Sequence, residues 1–134
     1  MADLEQIAAS LVGVPFAHHG RDPKTGLDCF GLFLIVMRAL GKSIPDYCYE
    51  QDWARSGANL FIENYWRHAR EVPEREALPG DAILFRHAPG IANHIAVLLE
   101  YGRFLHCSRA GVVIERLSDS AHRRRIEGFY RIIA

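Results

Sequence analysis

A chain of 134 residues, 49% of them apolar, is long enough for one domain with a real core. Its 16 Lys and Arg balance 16 Asp and Glu, and zero net charge argues against general nucleic-acid or anionic-membrane binding. Three cysteines without CxxC spacing argue against a disulfide framework or a structural zinc site, and no apolar run is long enough for insertion into a bilayer.

The stretch 1–9 is acidic and amphipathic and lacks the basic region and apolar core of a signal peptide, so synthesis in the cytoplasm is expected, with any export by other means. Asp3 is placed to cap a helix running to about Leu11, with Leu4, Ile7, Ala8 and Leu11 on one face, and Gly13-Val14-Pro15 ends it. Residues 16–27 read as an ordered loop leading to Cys29. That cysteine falls in the first turn of an apolar helix whose single charge is Arg38 and whose natural stop is Gly41. The segment 47–70 is rich in aromatics (Tyr47, Tyr49, Trp53, Phe61, Tyr65, Trp66). Asn59 is placed to cap a short helix there, with Leu60, Phe61 and Tyr65 inward.

After Leu78-Pro79-Gly80-Asp81 the pattern turns to short β runs at 82–85, 94–99, 103–107, 112–117 and 126–133. Turn residues in the links at Tyr101-Gly102 and Ala110-Gly111 predict antiparallel pairing of consecutive strands, and Ser118 is placed to cap a helical turn before Arg123. Helices followed by an antiparallel sheet make an α+β fold, a single domain over 1–134. Cys48 and Cys107 read as buried apolar residues. Of the seven histidines, His18 and His19 are the most conceivable metal ligands, but no pair has the one-turn helical spacing of a zinc enzyme, so neither metal nor cofactor is expected.

A thiol at a helix start meets unsatisfied N–H groups and the positive end of the macrodipole, which bias it toward the nucleophilic thiolate. A cysteine nucleophile needs a base in hydrogen-bond reach, and the base needs an orienting group. The candidates are His94 and His106, and the turn between them decides whether they meet. A two-residue loop at Tyr101-Gly102 pairs Val97 with His106 and sets the histidines on opposite faces. A three-residue loop, Glu100-Tyr101-Gly102, pairs Ala96 with His106 and makes them diagonal neighbours on one face; glycine at its last position favours this second form. In that arrangement Cys29 attacks a carbonyl, His94 moves the proton, His106 orients His94, and the Cys29 N–H serves an oxyanion.

These residues carry a resemblance. Gly13-Val14-Pro15-Phe16, Gly20-Arg21-Asp22, Asp28-Cys29-Phe30-Gly31, Pro79-Gly80-Asp81, His94-Ile95-Ala96-Val97 and Gly102-Arg103-Phe104-Leu105-His106, in that order, resemble the NlpC family of papain-like bacterial cell-wall cysteine peptidases. The resemblance implies a papain-like fold, a nucleophile at Cys29, a base at His94 and a third polar residue at His106. It also implies a peptidoglycan stem peptide as substrate. Tyr47, Asp52-Trp53, Asn93-His94 and Gly128-Phe129-Tyr130-Arg131 look like the branch of phage tail-assembly, prophage and gene-transfer-agent peptidases, which implies tail-tip proteins as partners. Two departures stand out: Phe30 replaces the family's usual serine, and Phe16 its upstream tyrosine. Of the three residues that help such peptidases bind an L-alanine amine, Asp28 alone is kept, so Asp28, Phe16 and Phe30 are the substrate-binding candidates and the standard specificity does not transfer unchanged. Alternatives are a structural tail component that needs no turnover and an acyltransferase using the same Cys-His dyad.

Overall fold

The structure, a computed structural model, describes residues 3–46, 48–49, 60–65, 67–88, 91–118 and 121–133. Tyr47, Asp52, Trp53, Asn59 and Trp66, and the side chain of Asn93, lie outside the described residues.

Helix α1 spans Leu4–Leu11, where the Asp3 carboxylate caps it by accepting the Glu5 N–H at 2.9 Å. Ala8 and Leu11 are buried on the face the apolar spacing marks out. Helix α2 spans Cys29–Ala39 and is buried nearly all round, as its apolar run requires. It ends where Gly41 takes a φ of +82° and the Lys42 N–H reaches back to the Met37 carbonyl at 2.8 Å. Between the two helices the loop is not wholly irregular. Strands β1 (Arg21–Asp22) and β2 (Gly26–Leu27) form a small antiparallel hairpin, an addition to the loop read from sequence. Helix α3 (Leu60–Tyr65) buries Phe61 and Tyr65.

The main sheet has six strands: β3 (Ala69–Val72), β4 (Ala82–Ala88), β5 (Ile91–Leu98), β6 (Arg103–Ser108), β7 (Gly111–Arg116) and β8 (Ile126–Ile132), in the order β3-β8-β4-β5-β6-β7. The links from β4 to β7 are antiparallel hairpins, as the turn residues predict. Two features differ from the sequence reading. Strand β3 was not expected, and β8 does not pair with β7 but inserts between β3 and β4. Buried charge holds it there: Asp81, at the Pro79-Gly80-Asp81 turn that starts β4, takes a two-pronged contact from the Arg131 guanidinium of β8 at 2.9 Å on each oxygen. A short 3-10 turn, Ala121–Arg125, precedes β8.

Side chains alternate across the sheet. One face, with Ala82, Leu84, Ile95, Val97, Leu105 and Cys107, packs on α1 and α2. The other, with Ile83, Phe85, Ala96, Leu98, Phe104 and Phe129, forms a second apolar cluster. His94 and His106 have the parity of that second face, and α2 covers the first.

Candidate active site

The Asp28 side chain builds the start of α2. Its Oδ1 accepts the Gly31 N–H at 2.8 Å and an Arg21 guanidinium N–H at 3.0 Å, and its Oδ2 accepts the His19 N–H at 3.0 Å and the Tyr49 hydroxyl. Arg21 is fixed in turn by Asp46 and by the Tyr49 oxygen. Close packing explains the glycine two residues after the cysteine: a Cβ on Gly31 would lie 1.9 Å from the Gly20 carbonyl oxygen. The loop thus lies directly on the first turn of α2, where Cys29 is 7% exposed.

Cys29 reaches the sheet where β5 and β6 part. Those strands pair at Val97↔Leu105 and Leu98↔Phe104 only, which frees the Ile95 N–H to hydrogen-bond the Cys29 sulfur. Burial pushes the Cys29 thiol well up, with the Asp28 charge adding to the rise, while the Ile95 and Phe30 N–H groups work against it. The thiolate bias expected from the helix terminus is therefore overturned by desolvation, and the unliganded thiol is neutral. Among the described residues, His94 is the neighbour in sequence of the sulfur's N–H donor but not itself a hydrogen-bond partner of Cys29.

The histidines meet. Leu99 donates to the Arg103 carbonyl at 2.8 Å across a three-residue turn, Glu100–Gly102, in which Tyr101 and Gly102 both have positive φ, at 61° and 69°. The register at Val97↔Leu105 then sets Ala96 opposite His106, and His94 Nε2 lies 2.9 Å from His106 Nδ1. A residue that the sequence reading missed completes the chain: His106 Nε2 lies 2.5 Å from Glu115 Oε2. Its signal was present in the hairpin joining β6 and β7. A two-residue link, Arg109-Ala110, pairs His106 with Val113 and so puts Glu115 diagonally beside His106 on the same face.

Donor and acceptor capacity fixes the tautomers. A carboxylate only accepts, so His106 carries its proton on Nε2 and accepts at Nδ1. His94 therefore donates from Nε2 and keeps its lone pair on Nδ1. Burial, together with neighbouring His106 and His122, pushes His94 down to about 3, so the ring is neutral at ordinary pH. Burial lowers His106 as well, opposed by its hydrogen bond to Glu115.

The other candidates are placed as follows. Phe30 is 2% exposed and packed in the core, with its ring 5.4 Å from Tyr49. The Asp28 oxygens already take four internal donors, so a substrate amine at Asp28 would have to displace one of them. Phe16 is 39% exposed and alone of the three presents open surface. His18 meets Tyr49 edge-on and His19 meets it at a tilt, with ring centroids 5.7 and 5.1 Å away. Cys107 is buried as expected and donates to the Leu27 carbonyl at 3.1 Å, whereas Cys48 is exposed, contrary to expectation.

A buried helix that presents a cysteine to an antiparallel sheet carrying paired histidines is the architecture of papain-like cysteine peptidase domains. The NlpC/P60 family matches residues 13–131, and the chain belongs to that family. It is 35% identical over 80 residues to the tail tip assembly protein K of Escherichia phage lambda, covering 59% of this chain and 40% of that protein. It is 29% identical over 126 residues to the murein DD-endopeptidase MepH of Escherichia coli, covering 91% of this chain and 42% of that protein. A crystal structure of an NlpC/P60 family protein from Bacillus cereus superposes with a TM-score of 0.75 at 25% identity, covering 98% of this chain and 40% of that one. The chain thus spans well under half the length of these relatives. Among the described residues, no helix is long and apolar enough to cross a membrane.

Proposed function

We propose that this chain is a cysteine peptidase that hydrolyses amide bonds of peptidoglycan peptides. The observation that carries the reading is the 2.9 Å contact between His94 Nε2 and His106 Nδ1, which leaves the His94 Nδ1 lone pair for the thiol beside Ile95. In the reaction, the Cys29 sulfur turns from the Ile95 N–H toward His94 Nδ1 and gives it the proton. The sulfur adds to the carbonyl carbon as that proton leaves it. The oxyanion lies at the Cys29 N–H, one of the unsatisfied donors at the start of α2. His94 returns the proton to the leaving amine, a thioester forms, and a water deprotonated by the same ring releases the acid. Because thiol and imidazole begin neutral, proton transfer accompanies attack and is not completed beforehand.

The relatives support the substrate class: one is named a murein endopeptidase, and the phage lambda protein is named for tail tip assembly. We place this chain's action at the cell wall, delivered as part of a phage or prophage tail and docked on tail-tip proteins. The test is digestion of purified muropeptides by wild type, Cys29→Ala and His94→Ala, with products read by mass spectrometry. Wild type cleaves, Cys29→Ala does not, and His94→Ala is slower by about 10²- to 10⁴-fold. Undiminished cleavage by Cys29→Ala rejects the reading. One observation favours a second reading, a structural tail component: the Cys29 side chain is buried, at 7% exposure. Equal particle infectivity with wild type and Cys29→Ala would support it.

A further inference from the structure

The far end of the histidine chain holds a group the peptidase mechanism does not use. His122, on the 3-10 turn before β8, brings its ring centroid to 5.2 Å from that of His106 and 6.1 Å from that of His94. Ligand atoms of His106, Glu115 and His122 all lie within 4.8 Å of one another. Two imidazoles and one carboxylate converging from β6, β7 and the turn form a donor set suited to a divalent first-row transition ion such as Zn²⁺ or Co²⁺, with a fourth position open to water. The approach is open on one side: the His106 side chain is 1% exposed, but that of Glu115 is 38% exposed.

We propose that His106, Glu115 and His122 bind a divalent transition-metal ion that switches off the His94 base by reversing the tautomers of the histidine chain. The ion takes the lone pair at His106 Nε2, the nitrogen that otherwise donates its proton to Glu115. His106 must then carry its proton on Nδ1 and donate it to His94 Nε2, as metal-bound histidines commonly donate from their second nitrogen. His94 can accept there only with its own proton on Nδ1, the nitrogen the proposed mechanism uses as base. Each ring holds one proton before and after, so no proton is lost; the chain reverses direction. Metal binding does not depend on the peptidase reading, whereas its inhibitory consequence rests on it.

The experiment titrates Co²⁺ into full-length Cys29→Ala protein, with the cobalt absorption spectrum as readout, and repeats the titration with His122→Ala and Glu115→Leu added in that background. Histidine nitrogen NMR with Zn²⁺ follows the tautomers. Binding of one ion without a thiolate-to-cobalt charge-transfer band is expected, weakened more than about tenfold by either added substitution. On Zn²⁺ binding, the His94 proton should move from Nε2 to Nδ1. Wild-type muropeptide cleavage should fall with added Zn²⁺, and the remaining activity of the His122→Ala enzyme should not respond to Zn²⁺. The site is overturned if Co²⁺ fails to bind, if binding needs Cys29, or if binding survives both added substitutions unchanged. The switch is overturned if Zn²⁺ binds and the His94 tautomer does not change. A protein that binds Co²⁺ as expected but cleaves no muropeptide would reject the peptidase reading and leave the site standing.

Discussion

Glu115 determines which nitrogen of His94 is basic although the two side chains are not hydrogen-bonded to each other. Its carboxylate can only accept, and that restriction passes through His106 to leave the lone pair at His94 Nδ1. It also offsets charge when His94 takes the thiol proton. Glu115→Leu removes both effects and is expected to lower kcat about tenfold or more with KM little changed, and Glu115→Gln, whose amide can donate as well as accept and carries no charge, is expected to lose most of the same activity. Steady-state kinetics on a muropeptide separates the two parameters. A purely structural role would instead let the isosteric Glu115→Gln keep its activity, or would change KM. The meeting of His94 with His106 was legible in the sequence because a glycine-bearing turn selects one register and register selects a face, and the place of Cys29 because it falls in the first turn of an apolar helix. Glu115 was equally determined by the link at Arg109-Ala110, but a glutamate near a strand end looks like any solvated one until its diagonal partner is identified. The ionisation of Cys29 was not legible, because the helix terminus is local and burial is not.

The contact between α2 and the preceding loop carries the geometry of the nucleophile, and Gly31 is its tightest point. A methyl group there would meet the backbone oxygen of Gly20, which cannot swing aside like a flexible side chain. Gly31→Ala is expected to separate the loop from the helix and loosen the Asp28 network, at about 1–3 kcal/mol as for an overpacked core. Gly41→Ala is the control. Nothing lies within 4 Å of the Cβ it would add, and the cost comes only from a φ of +82°, about 1 kcal/mol. Urea unfolding followed by circular dichroism measures both. Cys29 labelling at fixed pH should rise in Gly31→Ala, as the first turn of α2 loosens, and stay unchanged in Gly41→Ala. At this scale the sequence was readable wherever an element is closed by its own neighbours. Examples are the Asp3 cap, the Gly41 stop and the hairpins from β4 to β7. Strands β3 and β8 escaped, β3 in existence and β8 in position. Their partners are distant in sequence, and the ion pair that seats β8, Asp81 with Arg131, joins residues no local pattern relates.

Across the whole molecule, the fold holds the candidate site in its uncharged form, and its stability should report this as a function of pH. Native His94 stays neutral down to about 3, and His106 is also lowered from its ordinary value of 6.5. Unfolded imidazoles take up protons near 6.5, so below that pH the unfolded chain binds more protons than the native one and stability falls as pH drops. Each such histidine contributes a slope of up to about 1.4 kcal/mol per pH unit. At the alkaline end the sign reverses in origin but not in effect. The native Cys29 thiol stays protonated above its ordinary value of 9.0, where the unfolded thiol ionises, so stability falls again as pH rises. Unfolding midpoints measured across pH should therefore peak between these limits. His94→Gln should flatten the acid side between about pH 6.5 and 4, above the range where ordinary carboxylates dominate, and Cys29→Ala should flatten the alkaline side. If instead the thiolate–imidazolium pair were already formed in the native state, His94 would be held charged. Stability would then gain from protonation as pH falls toward 6.5, and His94→Gln would steepen the acid side. The slope on that side distinguishes a site that ionises only when it engages a carbonyl from one charged at rest.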